Sequence, residues 1–155
     1  MFERATFPIE LRWRGAKEGI VGSAKDRLPE TVVASPPEFG GPEGTWSPEH
    51  FFVAAVASCF MTTFKTVAEL SSLKVLRFEI FAAGDVVRGE DRRYRFESVR
   101  LEPHITVDSE RAAERAPKLV EKAEAACLVS RSLSTPVEVH PVVEVAEPAQ
   151  VGAPV

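Results

Sequence analysis

An α+β domain is the fold class this sequence predicts, on three observations. Apolar residues alternate with polar ones at Phe7, Ile9, Leu11 and Trp13, and again at Leu76, Phe78, Ile80 and Ala82 and at Val99, Leu101, Pro103, Ile105 and Val107, the period of half-buried strands. Two stretches between and after them carry helix signals. The strands come in runs rather than in strict alternation with helices, which separates this pattern from a βαβ array.

The first run opens with a strand through Phe7–Trp13, followed by a turn at Gly15–Gly19 and a return strand over Gly19–Ala24. A short strand at Thr31–Ala34 leads into Ser35-Pro36-Pro37-Glu38-Phe39-Gly40-Gly41-Pro42-Glu43-Gly44, too rich in Pro and Gly for helix or central strand. Ser47 is a favourable N-cap, Pro48 suits the first helical position and Glu49 complements the positive helix end. That helix is expected to run to about Leu73. Its first half, Phe51–Ala57, is apolar all round, so burial on all sides is expected, with help from a partner subunit.

Two long strands follow, turning at Arg88–Asp91. A second helix is expected over Ser109–Ala126, with Pro117 either kinking it or marking its first turn. A short helix over Cys127–Leu133 and one strand from Val137 to Val145 complete the pattern. Residues 1–145 are expected to form one domain, and 146–155 a flexible tail.

The composition narrows the function. The chain has 155 residues, a net charge of −4 and scattered basic residues, which argues against a nucleic-acid surface. Its start, Met1-Phe2-Glu3-Arg4, has no apolar signal region, so a cytoplasmic protein is expected. The most apolar stretch, Phe51–Met61, is expected to be too short to cross a membrane. No Gly-rich phosphate loop supports a nucleotide cofactor. Three isolated histidines, His50, His104 and His140, without a Cys-x-x-Cys, argue against zinc; His50 reads as a surface or capping residue, His104 and His140 as solvated.

The two cysteines, Cys59 and Cys127, are too few for a disulfide scaffold. A cysteine in an apolar helix is commonly a small core residue. If the fold brings these two together they are instead a redox pair, since one thiolate can be oxidised and a second thiol can capture the product. A short helix starting near Cys127 would offer N–H groups to its thiolate.

The frames of these cysteines resemble a known family. Pro37-Glu38-Phe39-Gly40-Gly41, Ser47-Pro48-Glu49-His50-Phe51-Phe52 and Ala57-Ser58-Cys59-Phe60 are similar to the signature of the OsmC/Ohr proteins, and Cys127-Leu128-Val129-Ser130 stands where that family has Cys-Pro-Val-Ser. The resemblance covers about residues 5–145. It implies an OsmC-like fold: an intertwined homodimer, two long central helices per chain packed against antiparallel sheets, active sites at the dimer interface. It also implies a thiol-dependent peroxidase reducing organic hydroperoxides, or hydrogen peroxide less well, regenerated by a dithiol such as a lipoylated protein, with no metal, haem or flavin. Carried over, Cys59 is the peroxidatic cysteine, Cys127 the resolving one and Glu49 the active-site glutamate. Glu49 and Cys59 lie ten residues apart on one helix, about 15 Å along its axis, so Glu49 is expected to act through a bridging cation or on the partner's site.

The family's active-site arginine has no clean counterpart. In one branch it lies in the first hairpin turn, where this chain has Lys17; Arg12, Arg14 and Arg27 are the other nearby cations, and Glu38 stands where the second branch has its arginine. Lys keeps the charge without the planar fork. This departure motivates an alternative, an OsmC-like protein with weak or no peroxide chemistry that binds an apolar small molecule at the dimer interface. Acyl transfer ranks last, for want of a Cys-His pair.

Overall fold

The computed structural model describes residues 3–147. Its strands and helices follow the order β1 (Glu10–Gly15), β2 (Glu18–Ser23), β3 (Leu28–Ala34), α1 (Pro48–Leu70), β4 (Val75–Arg88), β5 (Tyr94–Val107), α2 (Glu110–Ala126), α3 (Leu128–Arg131), β6 (Val137–Val139) and β7 (Val142–Val145). The chain divides into two compact units, Met1–Phe52 and Val53–Val155. The expected tail falls mostly outside the described residues; Ala146, its first residue, donates its N–H to the Val107 carbonyl at 2.9 Å.

In the first unit β1, β2 and β3 form an antiparallel sheet in that order. The Pro/Gly loop begins with one 3-10 turn, Pro37–Phe39, and returns to the sheet where the Ala34 N–H donates to the Trp46 carbonyl at 2.9 Å. Gly41 allows that path: a Cβ there would stand 1.5 Å from the Ser35 carbonyl oxygen. The expectation of a half-buried β1 is not met. Leu11 is 65% and Trp13 79% exposed, and Phe7 and Ile9 before the strand are equally open. Alternation records which face prefers burial, and among the described residues of its own unit this edge strand finds no cover for that face.

Helix α1 opens with Ser47, whose buried hydroxyl accepts the His50 N–H at 3.3 Å, while His50 Nδ1 lies 2.8 Å from the same hydroxyl and accepts the Ser47 N–H at 3.3 Å. His50 thus fills the reciprocal place in a capping box. The helix ends at Leu70, earlier than expected, because Ser72 turns left-handed (φ 52°). The Leu73 N–H then reaches the Ala68 carbonyl at 2.8 Å and the Ser72 N–H the Glu69 carbonyl at 3.0 Å, a Schellman closure.

Within the single chain, α1 is buried on one face. Val56, Ala57, Phe60, Phe64 and Ala68 are buried, whereas Phe51, Ala55, Ser58 and Met61 are exposed. One chain covers one face. The helix is nevertheless long and apolar enough to cross a membrane, with a mean hydropathy of 1.6 over its most apolar window, contrary to the shorter expectation from Phe51–Met61. Its buried face belongs to a protein core: Phe64 stacks on Phe60 and on Phe78 of β4, with ring centroids at 6.2 and 5.4 Å.

The second sheet is centred on β5, whose Val99, Leu101, Pro103, Ile105 and Val107 are buried. Strand β4 pairs with it antiparallel along nearly its whole length. Its other edge carries β6 and then β7, both parallel to β5, so this sheet is mixed rather than purely antiparallel. The cause is the return through α2 and α3, a crossover that brings the chain back in the same direction. The single last strand expected is split at His140–Pro141. Its gap faces Pro103, which has no N–H to donate there; the neighbouring Val99 N–H and Leu101 and Val107 carbonyls face the same edge and are paired. Gly84 of β4 admits α1, since a Cβ there would lie 2.7 Å from Val53 Cγ2.

Helix α2 is capped by Ser109, whose hydroxyl accepts the Ala112 N–H at 3.3 Å. Ala112, Ala116, Leu119, Val120 and Ala123 form its buried stripe. Pro117 sits inside the continuous helix on its exposed face, where the Ala113 carbonyl it leaves unpaired can meet water.

Candidate active site

Cys127 is both the last cap of α2 and the first cap of α3, with an extended backbone (φ −64°, ψ 112°). That single residue bends the chain between two helices. It leaves the first N–H groups of α3 without partners inside the helix. The Val129 N–H donates to Cys59 Sγ at 3.5 Å, a normal length for an acceptor as large as sulfur. The two cysteines, distant in sequence, therefore meet: Cys59 from α1 and Cys127 from the α2–α3 corner. Both are free thiols, Cys59 half-buried and Cys127 fully buried.

Cys59 sits among donors. Burial, the largest influence, pushes its thiol up; the Val129 N–H, the Cys127 thiol, the Thr63 hydroxyl and the Leu128 N–H all donate to the sulfur and together outweigh burial, so the Cys59 pKa lies below the ordinary cysteine value. Every one of these donors is neutral. The Val129 N–H at the start of α3, expected to serve Cys127, serves Cys59 instead; the Cys127 side chain makes no capping hydrogen bond to that helix.

Thr63 is the site residue that sequence reasoning missed. It lies four residues after Cys59 on α1, hence on the same face. Nearby hydroxyls go elsewhere: Ser58 donates to the Ala54 carbonyl at 2.7 Å, Thr62 to Ser58 at 3.1 Å and Thr66 to Thr62 at 3.0 Å. The i+4 spacing was the available signal. Ser130, in the quoted Cys127-Leu128-Val129-Ser130 motif, donates its hydroxyl to Cys127 Sγ at 3.2 Å.

Glu49 lies in the first turn of α1, in the other compact unit. Its Oε2 is buried and has no hydrogen-bond partner among the described residues. Of the cations considered for the missing arginine, Lys17 donates Nζ to the Phe39 carbonyl, and Arg12 pairs with Glu30 at the exposed surface. Arg27 occupies a left-handed turn position (φ 55°). His104 and His140 each lie beside a strand carboxylate, Glu102 at 2.7 Å and Glu138 at 3.4 Å, at the exposed surface.

Known proteins share this architecture. An OsmC-like protein of unknown function from Vibrio cholerae superposes with a TM-score of 0.81 over 90% of this chain and 100% of its own, at 18% identity, a likeness of fold. An organic hydroperoxide resistance protein from Legionella pneumophila is 26% identical, with a TM-score of 0.72 over 91% of this chain and 99% of its own. OhrB of Bacillus subtilis is 25% identical, with a TM-score of 0.64 over 92% and 100%. In sequence, YmaD of Bacillus subtilis is 26% identical across 86% of this chain and 90% of its own. Residues 40–141, which contain both cysteines, match the OsmC-like protein family. With the two thiols in contact inside that matched span, the chain belongs to the OsmC/Ohr family.

Proposed function

We propose that this protein is a thiol-dependent peroxidase acting on organic hydroperoxides. The observation that carries the reading is the meeting of Cys59 and Cys127 at the start of α3, where the Val129 N–H donates to the Cys59 sulfur at 3.5 Å and neighbouring donors hold its pKa below the ordinary value. The organic hydroperoxide resistance proteins among its structural neighbours support the substrate class. The Cys59 thiolate attacks the terminal oxygen of R–O–OH. The O–O bond breaks, the alkoxide takes a proton and leaves as ROH, and Cys59 becomes a sulfenic acid. The Cys127 thiol then loses its proton and its sulfur attacks Cys59 sulfur; the S–O bond breaks, hydroxide leaves as water, and a disulfide remains. A dithiol such as a lipoylated protein reduces it by exchange, in a reducing compartment such as the cytoplasm.

The same reading makes the protein a homodimer. The exposed apolar side chains Leu11 and Trp13 of β1, and Phe51 and Met61 of α1, are surfaces a second copy would cover. It gives the buried, unpartnered Glu49 Oε2 a cation to meet, one supplied from outside this chain's described contacts.

Purified reduced protein with a dithiol should consume an organic hydroperoxide, and Cys59→Ser should abolish the turnover. Absence of turnover with every hydroperoxide tried, with both thiols intact, contradicts the reading. One observation favours the alternative, an apolar-ligand protein with weak peroxide chemistry: Lys17 and Arg12, two of the cations near the expected arginine position, are engaged locally. A ligand carried through purification, together with a Cys59 inert to peroxide, would select it.

A further inference from the structure

The fully buried Cys127 has to shed a proton before its sulfur can attack, and the bare sulfur then needs a hydrogen-bond donor within the protein. No cation is paired with it in any hydrogen bond or ion pair among the described residues. What it has is the Ser130 hydroxyl, which donates to its sulfur at 3.2 Å. The geometry points to Ser130 as the positioning residue of the resolving step, a role that rests on the peroxidase reading above.

Ser130 is placed for this by the corner itself. It is three residues beyond Cys127, within α3, whose turn is closed by the Arg131 N–H on the Cys127 carbonyl at 3.1 Å. Residues three apart on a helical turn face one another, so the hydroxyl overhangs the sulfur of the capping residue. The result is a line of groups: Ser130 donates to Cys127 at 3.2 Å, and the Cys127 thiol in turn adjoins Cys59 and lowers its pKa. In the reduced state this line supports the Cys59 thiolate. Once Cys59 is a sulfenic acid, Cys127 gives up its proton, and the Ser130 hydroxyl is the donor still directed at its sulfur. It holds the charge until the S–S bond forms, and it aims the sulfur along the line toward Cys59.

The size of the effect follows from thiol chemistry. One hydrogen bond to an ionised group raises the thiolate fraction about tenfold, and the accompanying loss of intrinsic nucleophilicity returns part of that, leaving a net gain of about threefold. Lost aim adds to it, so removal of the hydroxyl should slow the resolving step by roughly three- to tenfold.

The test is single-turnover reaction of the reduced full chain with one equivalent of tert-butyl hydroperoxide, with timed trapping of sulfenic acid by dimedone and intact-mass readout of sulfenic acid and disulfide. Ser130→Thr and Ser130→Val have nearly the same shape and differ in the hydroxyl, so a packing effect appears in both. The expected result is disulfide formation near the wild-type rate in Ser130→Thr and three- to tenfold slower in Ser130→Val, with a sulfenic acid that persists. Equal resolving rates in the two variants overturn the assignment. Absence of sulfenic acid even in the wild-type protein overturns the peroxidase reading first and this role with it.

Discussion

The Val129 N–H donates to Cys59 Sγ at 3.5 Å across 70 positions of sequence. This contact ties the start of α3 to the middle of α1. It explains how a chain without an arginine of evident family type can still favour a thiolate: backbone and hydroxyl donors, all uncharged, surround the sulfur. Neutral donors in a half-buried place act at short range and are little affected by salt.

The pH dependence of Cys59 follows from that arrangement. Its pKa lies below the ordinary cysteine value because the donors outweigh burial. The rate of Cys59 alkylation by iodoacetamide should therefore stay high below the usual thiol range and fall only as pH drops through the lowered pKa. The stability linkage has the same sign. The contribution is present in full above the unfolded thiol pKa and is lost as pH falls through the folded one. A titration at or above the value of free cysteine would contradict it.

Thr63→Val should raise the Cys59 pKa, since it removes a hydroxyl whose hydrogen bonding lowers it. Thr63→Ser should leave it near the wild-type value. Thiolate absorbance at 240 nm against pH, read in a Cys127→Ser background for all three proteins, measures the shift. A Val variant that titrates like its parent would remove Thr63 from the site.

Leu128→Pro should be well tolerated, and it isolates one donor. Leu128 is the first residue of α3, where proline fits, and Cys127 before it is already extended as a residue preceding proline must be. The substitution removes the Leu128 N–H, the weakest of the donors that lower the Cys59 pKa. Thermal melting should change by only a few degrees, on the order of 1 kcal/mol, and the Cys59 pKa should rise by less than in Thr63→Val. Collapse of the fold would show that α3 is not shaped as described.

Association should depend on the apolar face of β1. Trp13→Lys combined with Leu11→Lys places two charges on side chains that are 79% and 65% exposed in the single chain, so the monomer should fold as before. Sedimentation velocity should then show a dimer for the parent and a monomer for the double variant. A monomeric parent at tens of micromolar would contradict the homodimer.

Much of this was legible in the residues. Alternation located the long strands, and Ser47-Pro48-Glu49 located the start of α1. Ser109 marked α2, and the frames around Cys59 and Cys127 pointed to the family. The remainder depends on where groups point in three dimensions. Thr62, Thr63 and Thr66 look alike in the sequence, yet Thr63 is the one directed at the sulfur. The N–H groups of α3 could be expected from a helix start, but not their acceptor. The split of β6 from β7 depends on Pro103 lying opposite the gap, a pairing that no local pattern contains. The open faces of β1 and α1 show apolar patterning without saying what would cover it.

The central claim is that Cys59 and Cys127 form a working redox pair. Its most direct test is intact mass after one equivalent of organic hydroperoxide added to the reduced protein. The account predicts loss of two hydrogens in the parent, and in Cys127→Ser a gain of one oxygen on Cys59 instead. An unchanged mass, or an oxygen gained by the parent with no disulfide following, would contradict it.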